Sequence, residues 1–125
     1  MKTKGEIEAE ISDAMVKFEM EYMGRGPKES RGHIIGDMVL VRLQGVLTPA
    51  EQQLTKSADG VELIKKVRST LIESAKPILS QVIGDITGAK VISLHTDIST
   101  IAGERVIVFT LDQDLEKALP KKKTS

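Results

Sequence analysis

The chain has 125 residues, enough for one domain that buries roughly two-thirds of the surface its unfolded chain exposes. Its 18 Lys and Arg balance its 18 Asp and Glu, so no net field draws it to nucleic acid or acidic lipid, and any electrostatic site must be local. The absence of cysteine excludes disulfides, thiolate zinc sites and cysteine nucleophiles, and points to a reducing cytoplasm.

Thr3 followed by Glu6 reads as a capping box, and Ile7, Ile11, Ala14, Met15, Phe18 and Tyr22 recur at helical spacing. The first helix is therefore expected over 4 to 23. Gly24 is placed to close it in a left-handed cap, and Gly26-Pro27 keeps it from resuming.

The stretch YMGRGPKESRGHIIGD that follows is read as a loop carrying Arg25, Lys28, Arg31 and His33. Backbone amides of such a glycine-rich turn, with those cations, suit a phosphate, carboxylate or bicarbonate, or an acidic partner. Against this, the stretch has neither GxxxxGK[ST] nor GxGxxG order, and it follows a helix, whose carboxyl-terminal dipole repels anions. A helix stop with solvated charges is the competing reading.

Residues 33 to 35 and 38 to 47 flank Gly36-Asp37, a pair suited to a type II′ or I′ hairpin turn. Val39, Val41 and Leu43 share one face of the second strand. Met38, Leu40, Arg42 and Gln44 share the other, which is only half polar and is the candidate subunit interface.

Thr48-Pro49-Ala50-Glu51 combines a Thr cap, Pro at the first helical position and Glu closing the box, predicting a short helix over 49 to 57. Asp59 with Glu62 then opens a long helix. Val61, Ile64, Val67, Leu71, Ala75, Ile78, Val82 and Ile86 form its expected core stripe, flanked by Leu63, Ile72, Leu79 and Ile83, with Gly88 at its end. Unbroken, it would run about 40 Å, against a diameter of about 35 Å for a compact chain of this size. Pro77 therefore predicts a kink or break near 73 to 76, failing which the helix projects.

From Lys90 to Ser99, Ile92, Leu94, Thr96 and Ile98 alternate with Val91, Ser93, His95 and Asp97; Gly103-Glu104 then turns the chain into a final strand ending at Leu111. The expected architecture is α+β: an antiparallel sheet of two β-hairpins with helices packed on one face, in the order α-ββ-α-α-ββ. Residues 1–113 form the single domain, and 114–125 a charged, disordered tail.

His95 and Asp97 lie on one strand face, but two ligands make no metal site, and His33 is the only other histidine. Ser93, His95 and Asp97 alternate along a single strand and cannot line up for nucleophilic catalysis. No catalytic residue, metal or cofactor is expected. No apolar run approaches the ~20 residues of a spanning helix, and MKTKGEIEAEISD has no apolar signal core. Phe18, Tyr22 and Phe109 are too few to stack bases, so nucleic acid is not an expected partner.

The residues EYMGRGPK, LVRLQGVLTPAEQQL, LHTDIST and GERVIVFTLD together resemble the MpsC family, across about residues 3 to 112. The resemblance implies a component of a sodium-translocating, membrane-potential-generating system, whose membrane partners are similar to cation antiporter subunits and whose large partner is similar to a zinc enzyme of inorganic-carbon uptake. It supplies no catalytic residues. The resulting expectation is a homodimeric, non-enzymatic accessory or regulatory protein, in the cytoplasm or peripheral at the inner face of the membrane. The alternative is a small-anion or nucleotide-sensing dimeric module unrelated to transport.

Overall fold

The computed structural model describes residues 2–120. Its elements are α1 (Lys4–Met23), β1 (Glu29–Ile35), β2 (Met38–Gln44), α2 (Pro49–Leu54), α3 (Ala58–Thr87), β3 (Val91–Ser99), β4 (Glu104–Leu111) and α4 (Leu115–Ala118). Local chemistry sets the helix starts. Thr3 and Thr48 each close a reciprocal capping box, with Glu6 and Glu51, and the Ser57 hydroxyl accepts from Gly60 N–H at the head of α3.

All four strands join one antiparallel sheet in the order β1-β2-β4-β3, the α+β arrangement the sequence predicts. The two hairpins meet side by side through β2 and β4. Gly36 has φ +60° and, among the described residues, positive φ is confined to glycines, so Asp37 has negative φ, which makes the first hairpin turn type II′. Ile7, Ile11 and Met15 of α1 and Ile72, Leu79 and Ile83 of α3 bury themselves against Val39, Val41, Leu43, Ile107 and Phe109. Each such side chain contributes about 1.5–3 kcal/mol relative to exposure.

Two glycines permit the close packing. A Cβ on Gly32 would lie 2.9 Å from the Glu8 carbonyl oxygen, so α1 can rest directly on β1. There the Ser12 hydroxyl donates to Ser30 O (2.7 Å) and Ile34 N–H donates to the Glu8 carboxylate (2.8 Å), which covers the β1 edge. A Cβ on Gly60 would sit 1.8 Å from Leu54 O, so only glycine fits where α2 meets α3.

Several expectations need correction. β1 starts at Glu29, and Lys28 N–H already donates to Gln44 O, so half of the supposed loop is strand. Gly32 and Ser30 stand at inward positions where an apolar residue would have signalled it. On α3 the buried stripe is Gly60, Ile64, Arg68, Ile72, Ala75, Leu79 and Ile83, while Leu63, Val67 and Ile78 are exposed. Ile64 and Ala75 keep their expected core positions, and the helix is rotated so that Ile72, Leu79 and Ile83 of the expected flank face the core with them.

Pro77 does not break α3, which continues for 30 residues. The proline is on the exposed side, where water can satisfy the carbonyl that loses its partner. On β3, two residues oppose one between Val91 and Ser93, a bulge that turns Ile92 outward to 61% exposure. The start of the expected tail is also ordered. Leu115 is buried, and Gly36 N–H donates to Glu116, so α4 clasps the first hairpin turn. Residues 121–125 of that tail lie outside the described residues.

Candidate functional site

The helices cover one face of the sheet and leave the other open. Strand registers arrange the open face in rows. Glu29, Gln44, Glu104 and Ser99 form one end row, followed by Arg31, Arg42, Val106 and Asp97, then His33, Leu40, Val108 and His95. Ile35, Met38, Thr110 and Ser93 complete it. None of these residues is buried, yet Met38, Leu40, Val106 and Val108 make the centre of the face apolar. A solvated face ordinarily alternates to polar side chains, and the centre of this one departs from that pattern.

The four candidate cations separate into two pairs. Arg25 turns back to donate to Leu47 O (3.3 Å), and the stem of Lys28 lies over Gly45, placing both at the corner between α1 and the end of β2. Arg31 and His33 stand on the open face, Arg31 within 3.0 Å of the Glu29 carboxylate. Met38, Leu40, Arg42 and Gln44 line the same face, with Arg42 paired to Glu104 across the β2 and β4 ladder.

Ser93 and His95 do touch, with Oγ and Nε2 3.1 Å apart, and Ser93 also bonds Thr110. Asp97 nonetheless accepts from the backbone N–H of Ile98 (2.8 Å). The carboxylate is therefore engaged with backbone and is not the orienting partner of the His95 ring. Among the described residues no group of three or more His, Cys, Asp or Glu is placed to hold a metal ion.

Sequence reasoning missed a buried ionic cluster beneath the opposite face. Glu19, Arg68 and Arg105 are each exposed by 2% or less. Arg68 grips Glu51 with Nε and Nη2, both at 2.8 Å, and donates from Nη2 to Val46 O (2.9 Å). One oxygen of Glu19 lies 3.8 Å from Arg68 Nη1 and 3.9 Å from Arg105 Nε. Arg105 also donates to the Thr96 hydroxyl (3.2 Å).

The cluster ties α1, α2, α3 and β4 together at one end of the sheet. Burial pushes the Glu19 carboxyl above its ordinary value, which the charges of Arg105 and Arg68 only partly offset. Burial likewise lowers the Arg105 guanidinium, against the pull of Glu19. At Glu51 burial also opposes ionisation, but the hydrogen bonds from Arg68 and Thr48 prevail and hold its carboxyl below the ordinary value. The signal for this cluster was present as parity. Glu19 follows Met15 by four residues, Arg68 lies midway between Ile64 and Ile72, and Arg105 shares the inward side of β4 with Ile107 and Phe109.

The described surface also carries concavities, two of which flank the helices. One of about 440 Å³ lies between the start of α3 and the β3–β4 tip, lined by Lys65, Asp97, Glu104 and the wholly exposed Ile101. The other, of about 290 Å³, is an apolar groove between α1 and α3 with Phe18, Tyr22, Ile78 and Val82 on its walls.

A family model described as "Na+-translocating membrane potential-generating system (MpsC)" matches residues 3–113. The chain belongs to the MpsC family. Among relatives of this MpsC protein, YbcI of Bacillus subtilis (strain 168), an uncharacterized protein, is 48% identical over 120 residues, 96% of this chain and 97% of YbcI. YrhF of the same organism, also uncharacterized, is 26% identical over 109 residues, 86% and 89% of the two chains. No solved structure matches this MpsC chain. Among its described residues, no helix is long and apolar enough to cross a membrane.

Proposed function

We propose that this MpsC protein is a non-enzymatic, self-associating accessory subunit of a Na+-translocating, membrane-potential-generating system, working at the cytoplasmic side of the membrane. The observation that carries the reading is the distribution of apolar surface. It occurs on both layers: the half-buried Met38, Leu40, Val106 and Val108 on the outer side of the sheet, and the exposed Tyr22, Leu63, Val67 and Ile78 on the helices. Such a two-sided molecule is suited to joining proteins.

In this reading the corner cations Arg25 and Lys28 meet an acidic segment of a membrane partner similar to a cation antiporter subunit, while Arg31 and His33, on the open face, belong to the self-association contact. The coupling of the system to inorganic-carbon uptake is part of the same proposal. Separation of the four cations into two pairs favours an extended partner over a single small anion, which would draw them to one point.

The test is affinity purification from detergent-solubilised native cells after mild cross-linking, read by mass spectrometry. Wild-type protein is expected to bring down polytopic membrane subunits. The Arg25→Gln/Lys28→Gln variant, which removes both charges and keeps hydrogen-bonding side chains, is expected to lose them. Recovery of the protein alone from wild-type cells contradicts the accessory role.

A further inference from the structure

The geometry points to a second copy of this chain as the occupant of the open sheet face, docked about a two-fold axis that runs parallel to the strands between β2 and β4. This deepens the self-associating part of the proposed function.

The rows of the face constrain how two copies can meet. A two-fold axis parallel to the strands reverses strand order and keeps each row at its own level. It therefore lays β1 over β3 of the second copy, and β2 over its β4. In the charged row, Arg31, Arg42, Val106 and Asp97 then meet the same row reversed. Arg31 faces Asp97 of the second copy, and Asp97 faces Arg31 of the second copy. In the next row Leu40 falls on Val108 of the second copy, and each apolar centre covers the other.

The other two-fold axis in the plane, running across the strands, lays each strand on its own counterpart. Arg31 would then meet His33 of the second copy, Arg42 would meet Leu40, and Asp97 would meet only the imidazole of His95, so that no arginine falls on a carboxylate in these two rows. Charge complementarity selects the first axis. Both arrangements keep the strands aligned, as face-to-face sheets usually are, so charge decides between them.

Within one chain Arg31 and Asp97 do not satisfy each other. They stand at opposite edges of the face, three strand spacings apart, or about 14 Å. Among the described residues Arg31 pairs with Glu29, the two side chains being 65% and 50% exposed, and it stands opposite another cation, Arg42. Four residues from each strand make a patch somewhat smaller than the roughly 20–30 residues a side of a standard interface. Association at micromolar concentrations is the matching expectation.

Sedimentation of the purified chain across micromolar concentrations tests this, with a charge-swap series at two exposed positions. Wild type is expected to dimerise. Arg31→Asp is expected to weaken the dimer by about tenfold or more, as opposed like charges do, and Arg31→Asp with Asp97→Arg to restore it. Circular dichroism melts confirm that each variant is folded. A wild type that stays monomeric throughout overturns the inference. So does a dimer indifferent to Arg31→Asp, or one that the double swap fails to restore. The experiment contains no membrane partner, so failure to recover such a partner from cells is a separate outcome that leaves this one standing.

Discussion

The two faces of the sheet invert what each environment normally selects. The covered face, where side chains should be apolar, holds Glu19, Arg68 and Arg105, each at most 2% exposed. The open face, where they should be polar, has Met38, Leu40, Val106 and Val108 at its centre. A charge under the helices needs the counter-charges it finds there, and the half-buried apolar centre of the outer face is, in the proposal above, covered by a second copy. The first departure concerns how this fold is held together, and the second concerns what it touches. Substitutions should separate the two.

The largest effect is expected beneath the helices. Glu19→Ala leaves Arg68 Nη1 and the Arg105 guanidinium facing no carboxylate of α1, and breaking a buried pair in this way costs about 3–5 kcal/mol. Urea unfolding should show the midpoint falling with unchanged slope. Replacing Glu19, Arg68 and Arg105 together by apolar residues of similar volume should recover much of that loss. Next comes Gly60→Ala, which drives a methyl into Leu54 O and should cost up to about 3 kcal/mol by overpacking, read in the same assay.

Glu51 gives a pH signature on the same side of the sheet. Its folded carboxyl is held low by Arg68 and Thr48, so it binds fewer protons folded than unfolded near the ordinary glutamate value. Its stabilisation is therefore complete above that value and disappears as pH falls through the depressed folded pKa. Acid unfolding of Glu51→Gln should be less steep over that interval than wild type, even though the variant is less stable at neutral pH.

The smallest effect on stability, and the largest on association, belongs to the open face. Leu40→Arg should change monomer stability by no more than about 0.5–1 kcal/mol, as outward substitutions usually do. It should nonetheless abolish self-association in sedimentation. If Leu40→Arg unfolded the chain while Glu19→Ala did not, the contrast between the two faces would collapse.

Much of the architecture was readable before the structure. Thr3, Thr48 and Gly36-Asp37 act locally, and local chemistry decides capping and turn type without help from the rest of the chain. The alternation of Val39, Val41 and Leu43 with Met38, Leu40, Arg42 and Gln44 likewise fixed which side of β2 is covered. What escaped depends on tertiary partners. The true buried stripe of α3 includes Arg68, which no hydrophobic pattern selects and which is buried because Glu51 and Val46 O receive it.

Gly32 hid the first half of β1, since an inward glycine is silent in a pattern search even though α1 packs directly on it. Strict alternation groups Ile92 with Leu94, Thr96 and Ile98, and the bulge at this position separates it from them. At the candidate site, Arg25, Lys28, Arg31 and His33 are neighbours in the chain, but the alternation of β1 and the backward turn of Arg25 send them to different surfaces.

The central claim, that a second copy covers the open face in one particular orientation, can be tested most directly by cross-linking, because the chain has no cysteine of its own. Arg31→Cys protein and Asp97→Cys protein would be mixed and treated with a bismaleimide whose span matches the ~10 Å between stacked sheets. The account predicts that the mixture gives a covalent dimer joining position 31 to position 97, well above the yield from either variant alone. Equal yields from the mixture and the single variants, or no dimer from the mixture, would contradict it.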